Sequence, residues 1–408
     1  EVFYLVNITD IDDKIVKKAQ EKRTTPEKIA KEYEKEYMDG MKSLRVNSVS
    51  KYARATEHIK EIISQVKRLL DKKHAYIIDG DGVYFDIKKF ENYGSLSGRS
   101  VLQAEDAVSR IDDTIGKKSK ADFCLWKFSK PGESKWKSPW GEGRPGWHIE
   151  DTAIAEKYFG FQYDIHGGGR DLMFPHHEAE IAQMESISGK RPMVKYWVHL
   201  GFLTVDGTKM SKSLGNFTTI SDFEKKNSDR LMRFFFLKTH YRSPIDYSEN
   251  NLSQTKKELE KFDDFLRKIQ NIKDKTRTKN NLTEKIIAKS RKDFYKSMDD
   301  DMNTPSAIAA IFKLMNQINS LLSQEKISHN EADEIVDFLK KADVFLDFIF
   351  WREKPTADIP EIIKDLVKER EEARLDNDWE RADEIRKKME KKGYKVEDIK
   401  KGTIIKKI

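Results

Sequence analysis

Lys209, Met210, Ser211, Lys212 and Ser213 stand together between Gly207 and Gly215. Two lysines and two serines beside glycines make a mobile loop that can close on a polyphosphate. The ammonium groups would neutralise charge that builds as pyrophosphate leaves, which is electrostatic stabilisation of a transition state. Upstream, FPHHEAEIAQM (Phe174 to Met184) sets His176 and Glu180 four apart, with Pro175 placed to open a helix. That spacing puts both side chains on one helix face. A neutral imidazole and a carboxylate suit zinc there. Taken alone, such a pair is better explained as a surface contact, and it is the neighbouring motifs that argue for the metal.

Gly167, Gly168 and Gly169 follow a short strand, Tyr163 to Ile165, and lie between His166 and Asp171. Backbone N–H groups at the C-terminal end of a strand can face a nucleotide. Trp147 ends the Gly/Pro-rich run WKSPWGEGRPGW, whose glycines and prolines allow close backbone approach and rigid turns. It can wall a small pocket or simply fill a core. Thr9 sits in NITDIDDK after a first strand, where α/β folds place ligands; the same threonine and aspartates would serve as helix caps.

The elements that must position these residues read as follows. Val2 to Val6 is a short apolar run expected to form a buried parallel strand. Glu27 to Leu44 and Ala55 to Lys72 read as helices. Ala75 to Phe90 carries a hairpin signal around Asp79-Gly80-Asp81-Gly82. The turn-rich stretch that continues to Trp140 completes an inserted antiparallel lobe. Ile149 to Tyr158 reads as a helix. Tyr196 to His199 leads into Phe202, Leu203 and the lysine loop. Asp229 to Lys238 is an apolar helix, followed by a turn at His240 to Asp246. Leu252 to Ile272, Leu282 to Met298, Ser306 to Ser323 and Asn330 to Ile349 repeat apolar residues at helical spacing, which predicts a bundle. Ile359 to Lys392 reads as helical and very highly charged, and Gly393 to Ile408 as a basic, partly β tail.

Bulk composition narrows the setting. The chain has 408 residues, 36% of them charged, with 77 Lys and Arg against 70 Asp and Glu, a net +7. That length allows two or three domains, and the mild basicity fits an RNA partner. No apolar run approaches a membrane span. Cys124 is the only cysteine, so a disulfide framework is excluded and a cytoplasmic setting is expected.

Taken together and in order, NITDIDDK, YGSLSGR, WKSPWGEGRPGWHIE, YDIHGGGRDLMFPHHEAEIAQ, DGTKMSKSLGNF, HYRSPIDYS and DDMNTPSAI resemble the cysteinyl-tRNA synthetase family. KMSKS is similar to the signature loop of class I aminoacyl-tRNA synthetases. The resemblance implies an α/β chain: a Rossmann-like class I catalytic domain, N-terminally incomplete, with an inserted lobe, followed by an all-α bundle. The implied division is 1–72 and 141–200 for the catalytic halves, 73–140 for the lobe and 201–250 for the lysine loop and stem contact. The bundle would take 251–352 and a tRNA-binding region 353–408. It implies a monomeric ligase that uses ATP with Mg2+ and cysteine to charge tRNA(Cys), through cysteinyl-adenylate. One Zn2+ would bind the substrate thiolate, because a soft metal separates sulfur from oxygen where a pocket alone discriminates poorly. Residue by residue, His176 and Glu180 match zinc ligands. Thr9, Trp147 and His166 match positions around the bound cysteine. Lys212, with Lys209 in support and Met210, Ser211 and Ser213 in the same loop, matches the ATP-binding lysine. Gly168, Gly169 and Asp171 match the nucleotide-facing segment. Glu150 and Asp13 are read as structural.

The sequence departs from the family twice. The HIGH-type tetrapeptide and its nearby cysteine ligand are missing. The chain opens at Glu1 inside a strand pattern, so a preceding βαβ opening of about 30 or more residues is expected. Asp151 stands where the family has a zinc-ligating cysteine after WHIE, and Cys124 is no substitute. Asp151 can still coordinate through oxygen, giving a harder site. Two other functions stay open: a non-catalytic tRNA-binding paralogue, and a cysteine ligase acting on a small amino sugar.

Overall fold

The computed structural model describes residues 1–99, 116–130, 132–211, 214–273, 281–351, 360–376, 378–399 and 402–407. The chain forms two compact units, Glu1–Ile349 and Phe350–Ile408.

In the first unit, strands β1 (Leu5–Ile8) and β2 (Lys51–Arg54) pair in parallel, with Leu5 opposite Lys51 and Ile8 opposite Arg54. Parallel partners need a crossover, here the helices Asp13–Glu21 and Pro26–Ser43. Each starts where its sequence supplies a cap: the Asp12 carboxylate accepts from the Lys14 N–H, and Thr25 accepts from the Lys28 N–H just before Pro26. The strand starts later than the apolar pattern suggested. Val2, Phe3 and Tyr4 are exposed; the ladder register begins with Leu5 opposite Lys51, and the Tyr4 carbonyl accepts from the Ser50 N–H at 2.8 Å just ahead of it.

The inserted lobe is a four-stranded antiparallel sheet in the order β3 (Ala75–Ile78), β4 (Gly82–Phe85), β5 (Phe123–Phe128), β6 (Gly143–Pro145). Its inner face shares one hydrophobic core with the helices Ile59–Asp71, Trp147–Phe159 and Glu178–Ser188 through Phe85, Phe123, Trp126, Ile149 and Met184. A second parallel pair, β7 (Tyr163–Gly169) and β8 (Val194–Leu200), flanks that core. The three glycines were expected to follow the strand. They instead belong to it, because Gly167, Gly168 and Gly169 pair with Val198, His199 and Leu200.

The lysine segment is a hairpin. β9 (Leu203–Val205) turns through Asp206 and Gly207 into β10 (Thr208–Lys209), and β11 (Ile245–Tyr247) lies parallel to β9 on its other edge. Beyond it, the helices Glu249–Gln270, Asn281–Asp299, Thr304–Ser323 and His329–Leu346 form the predicted bundle. Phe262, Phe265, Phe294, Phe338 and Phe348 are fully buried in it. Phe234, from the helix Asp229–Leu237, packs 4.4 Å from Phe348.

The second unit contains two helices, Glu361–Leu375 and Trp379–Lys391, within the charged stretch read as helical. The break has a local cause: the Asp378 carboxylate caps the Arg381 N–H at 3.0 Å and starts a new helix. β12 (Tyr394–Ile399) and β13 (Gly402–Lys407) close the unit as a hairpin, and Val396 joins Val367, Ile385 and Met389 in a small core.

Candidate active site

The helix Trp147–Phe159 brings Trp147, His148, Glu150 and Asp151 into its first turns. Its entry requires Gly146: a Cβ there would lie 2.0 Å from the Cys124 carbonyl oxygen of β5. The helix Glu178–Ser188 is entered through Phe174, which is extended, and Pro175, which leads His176 and His177 toward the first helix. Glu180 then lies on the face of His176, as the spacing predicted.

These elements meet at one point. His176 Nε2 lies 2.7 Å from Asp151 Oδ2 and 3.3 Å from Glu180 Oε1. Glu180 Oε2 lies 3.3 Å from His166 Nε2 on β7. Asn7, at the end of β1, donates its side-chain N–H to Asp151 Oδ1. Trp147 stacks on the His176 ring, centroids 4.4 Å apart, and is itself 45% exposed, so it covers the cluster from the solvent side. His148 Nδ1 contacts His176 Nδ1 at 2.7 Å behind it. Tyr163 Oη holds His166 Nδ1 at 2.8 Å, and His199 Nε2 meets His177 Nδ1 at 2.9 Å.

Burial alone would depress His176. The carboxylates of Glu180 and Asp151 outweigh it and hold the imidazole up at about 10. Burial would raise Glu180, but His166 and His176 hold it below the usual carboxylate range. Burial raises Asp151 despite its bond to His176. His148 and His177 are pushed down by burial, the latter to about 3, and stay neutral. Two carboxylates thus face one buried imidazole, an arrangement that favours positive charge at this point.

The donor set fits a metal ion. Ligand atoms of Asp151, His176 and Glu180 converge within 4.8 Å. Both Glu180 oxygens are buried without an aligned hydrogen-bond donor, and the 3.3 Å contacts are charge neighbours, not good hydrogen bonds. A second convergence, His166, His177 and Glu180, shares the same carboxylate. It offers two imidazoles and one carboxylate, the first group one imidazole and two carboxylates, and both sets suit zinc.

Glu178 anchors the same helix to the lobe. Its buried carboxylate accepts from the Gly94 N–H at 3.0 Å, the Ser97 N–H at 2.7 Å and the Ser97 hydroxyl at 2.9 Å. This explains YGSLSGR, which the sequence reading quoted without a role. Asn7, His148, His177 and Glu178 were likewise unassigned there; the doubled histidine of FPHHE was the available signal.

Glu150 faces inward, and neither of its oxygens has a hydrogen-bond partner. Burial first, then Asp151, raises its pKa well above the ordinary value. The folded chain therefore keeps a proton that the unfolded chain releases above about pH 4.3, and stability falls as pH rises beyond that point. Glu150→Gln removes this dependence. In denaturant titrations with chelator present, the variant is expected to gain on the parent between pH 4 and pH 8. Parallel pH profiles for the two proteins would rule out a neutral Glu150.

The lysine hairpin approaches the end of β7. Lys209 Nζ lies 3.4 Å from Asp171 Oδ2 and 4.3 Å over the Phe202 ring. The Met210 N–H bonds the Leu203 carbonyl at 2.9 Å, and the Ser211 N–H bonds Asn216 Oδ1 at 2.8 Å. Lys212 and Ser213 lie outside the described residues. A Cβ on Gly168 would stand 3.1 Å from the His177 ring, so this glycine makes room for the histidine. A Cβ on Gly169 would meet Asp171 Oδ1 at 2.6 Å. Thr9 is half-buried directly after β1. Beside Trp147 opens a cavity of about 450 Å³ lined by Asp12, Lys14, Cys124 and Arg144 among others. Asp13 pairs with Arg144 there, and Cys124 is outside both metal-capable groups.

This arrangement is that of a class I aminoacyl-tRNA synthetase. The model of the class I (C) tRNA synthetase catalytic domain matches residues 1–257. A DALR domain matches residues 293–348 and the cysteinyl-tRNA ligase anticodon-binding domain residues 356–404. A cysteine–tRNA ligase of Methanococcus maripaludis is 44% identical over 99% of this chain and 86% of its own length. One from Thermococcus onnurineus is 42% identical over 100% and 87%. The chain belongs to the cysteine–tRNA ligase family. Mycobacterium tuberculosis methionyl-tRNA synthetase, solved with methionyl-adenylate, shares the fold: TM-score 0.60, 13% identity, 86% of this chain and 82% of that one. No helix among the described residues is long and apolar enough to cross a membrane.

Proposed function

We propose that this chain activates cysteine with MgATP to cysteinyl-adenylate and passes the acyl group to the 3′ end of tRNA(Cys). The observation that carries the reading is the buried convergence of Asp151, His176 and Glu180 under Trp147, beside β7, which runs on to Asp171, the partner of Lys209. A zinc ion held by those three side chains would take the substrate thiolate as a further ligand and favour sulfur over a hydroxyl. Trp147 and His166 wall the cysteine, with Thr9 at the end of β1. Asn7 fixes the Asp151 carboxylate. Tyr163 fixes the orientation of the His166 ring. Lys212, supported by Lys209, neutralises the pyrophosphate as it leaves, with Gly168, Gly169 and Asp171 on the nucleotide side. The helical bundle and the second unit bind the tRNA, largely electrostatically and in a salt-sensitive way, with anticodon bases read from the unstacked loop. The anticodon-binding match at 356–404 supports tRNA over an amino-sugar acceptor.

Cysteine-dependent ATP–pyrophosphate exchange with zinc supplied tests the reading. Its absence, with tRNA binding retained, would turn the assignment to a non-catalytic tRNA binder. The aspartate makes a harder oxygen site than cysteine would. Asp151→Cys is therefore expected to tighten zinc by roughly tenfold or more and to improve selection of cysteine over serine. Competition with a chromophoric chelator measures the first. An unchanged zinc affinity would remove Asp151 from the ligand set.

A further inference from the structure

Two of the quoted motifs, HYRSPIDYS and DDMNTPSAI, have no role in the proposed chemistry, yet they meet. Asp301, in the turn between two bundle helices, accepts from the Tyr241 hydroxyl at 2.6 Å and from Arg242 Nε at 2.6 Å. Arg242 Nη2 adds a contact at 3.2 Å, and His240 Nε2 lies 3.7 Å away. Asp301 and Met302 both have φ +53°. They are the only consecutive non-glycine residues with positive φ among those described. Each such residue costs about 1–3 kcal/mol and persists only where its surroundings over-determine it. The turn is thus held in a costly shape that aims one carboxylate at residues 240–242.

Those residues seat the lysine hairpin. The Tyr241 carbonyl accepts from the Gly201 N–H at 2.7 Å, and the Ile245 N–H donates to the Phe202 carbonyl at 2.9 Å. The contact is close enough that a Cβ on Gly201 would stand 2.2 Å from the Ser243 carbonyl oxygen. From Gly201 the chain runs directly into Phe202, on which Lys209 rests, and into β9, which pairs with β10 and accepts the Met210 N–H at Leu203. One chain of contacts therefore leads from the bundle turn to the backbone of the lysine loop.

We propose that Asp301 is a positioning residue: it latches the bundle to the Tyr241–Arg242 turn and so sets the resting geometry of the lysine hairpin. The latch rests on the proposed catalytic role of that hairpin only for its effect on rate. Its geometric effect stands apart from it. Asp301 and Arg242 are 40% and 61% exposed at their side chains, so the expected coupling is that of a surface network.

Hydrogen exchange on the full chain tests the proposal. In Asp301→Asn, the Gly201 and Met210 amides are expected to exchange roughly threefold faster, with the interior of the helix Glu249–Gln270 unchanged. Arg242→Met removes the contact from the other side and should give the same pattern, and the double variant should add little. Unchanged Gly201 and Met210 protection in both variants would overturn the latch; a purely local role of the turn would loosen only residues 297–306. If the proposed chemistry is right, kcat for pyrophosphate exchange falls in both variants while KM for cysteine stays. Faster amide exchange with kcat intact would keep the latch and refute the catalytic role of the hairpin.

Discussion

Glu180→Ala is expected to lower cysteine-dependent pyrophosphate exchange by more than about 100-fold, since even second-sphere partners of a metal are worth 10–100-fold. Glu180 is fully buried. It is the one carboxylate shared by both metal-capable groups, so its loss leaves no complete donor set among the described residues. The variant also strips His176 and His166 of a counter-charge 3.3 Å away. Breaking a buried pair from one side costs about 3–5 kcal/mol, and a drop of that size is expected in denaturant titrations. Glu180→Gln separates the two effects. It keeps the volume and should recover much of the stability, but it cannot supply the charge. Zinc bound at full affinity by Glu180→Gln would sink the metal assignment, whatever the activity.

Lys209→Ala and Lys212→Ala are each expected to cut kcat by about 10²–10³, the range seen on removing a group that meets developing charge, with KM for cysteine little changed. The structure explains how Lys209 can be held without being locked. Its partner Asp171 is 3.4 Å away, and both side chains are more than half exposed, so their pairing is worth at most about 1 kcal/mol. A polyphosphate can displace that carboxylate at little cost, while Phe202 keeps the ammonium in place from below. Because the pair is exposed, Lys209→Ala should leave the melting temperature almost unaltered. A variant with intact kcat would show that the loop does not meet the leaving group.

Much of the site was legible because its spacing is local. His176 and Glu180 lie one helical turn apart, and a turn has fixed geometry, so their shared face follows from the sequence alone. The bundle was legible for the same reason, as its apolar period is the helix's own. The glycines after Ile165 were misplaced because a triple glycine reads as a loop, whereas pairing with Val198, His199 and Leu200, about thirty residues on, makes them strand. The exposed Val2, Phe3 and Tyr4 show the converse: an apolar run at the start of the chain was read as buried strand, but regular pairing with β2 starts at Leu5.

Residue identity and near spacing were enough to read the family, the order of its motifs and the residue types offered to the chemistry. It takes the folded chain to show that Asp151 faces His176, that Asn7 holds Asp151, that Glu178 ties the metal-capable helix to residues 94–97, and that Asp301 reaches Tyr241. Those pairs are separated by 25, 144, 81 and 60 positions. No periodicity links residues so far apart. Packing of helices on strands closes those distances, so the contacts exist only once the fold does.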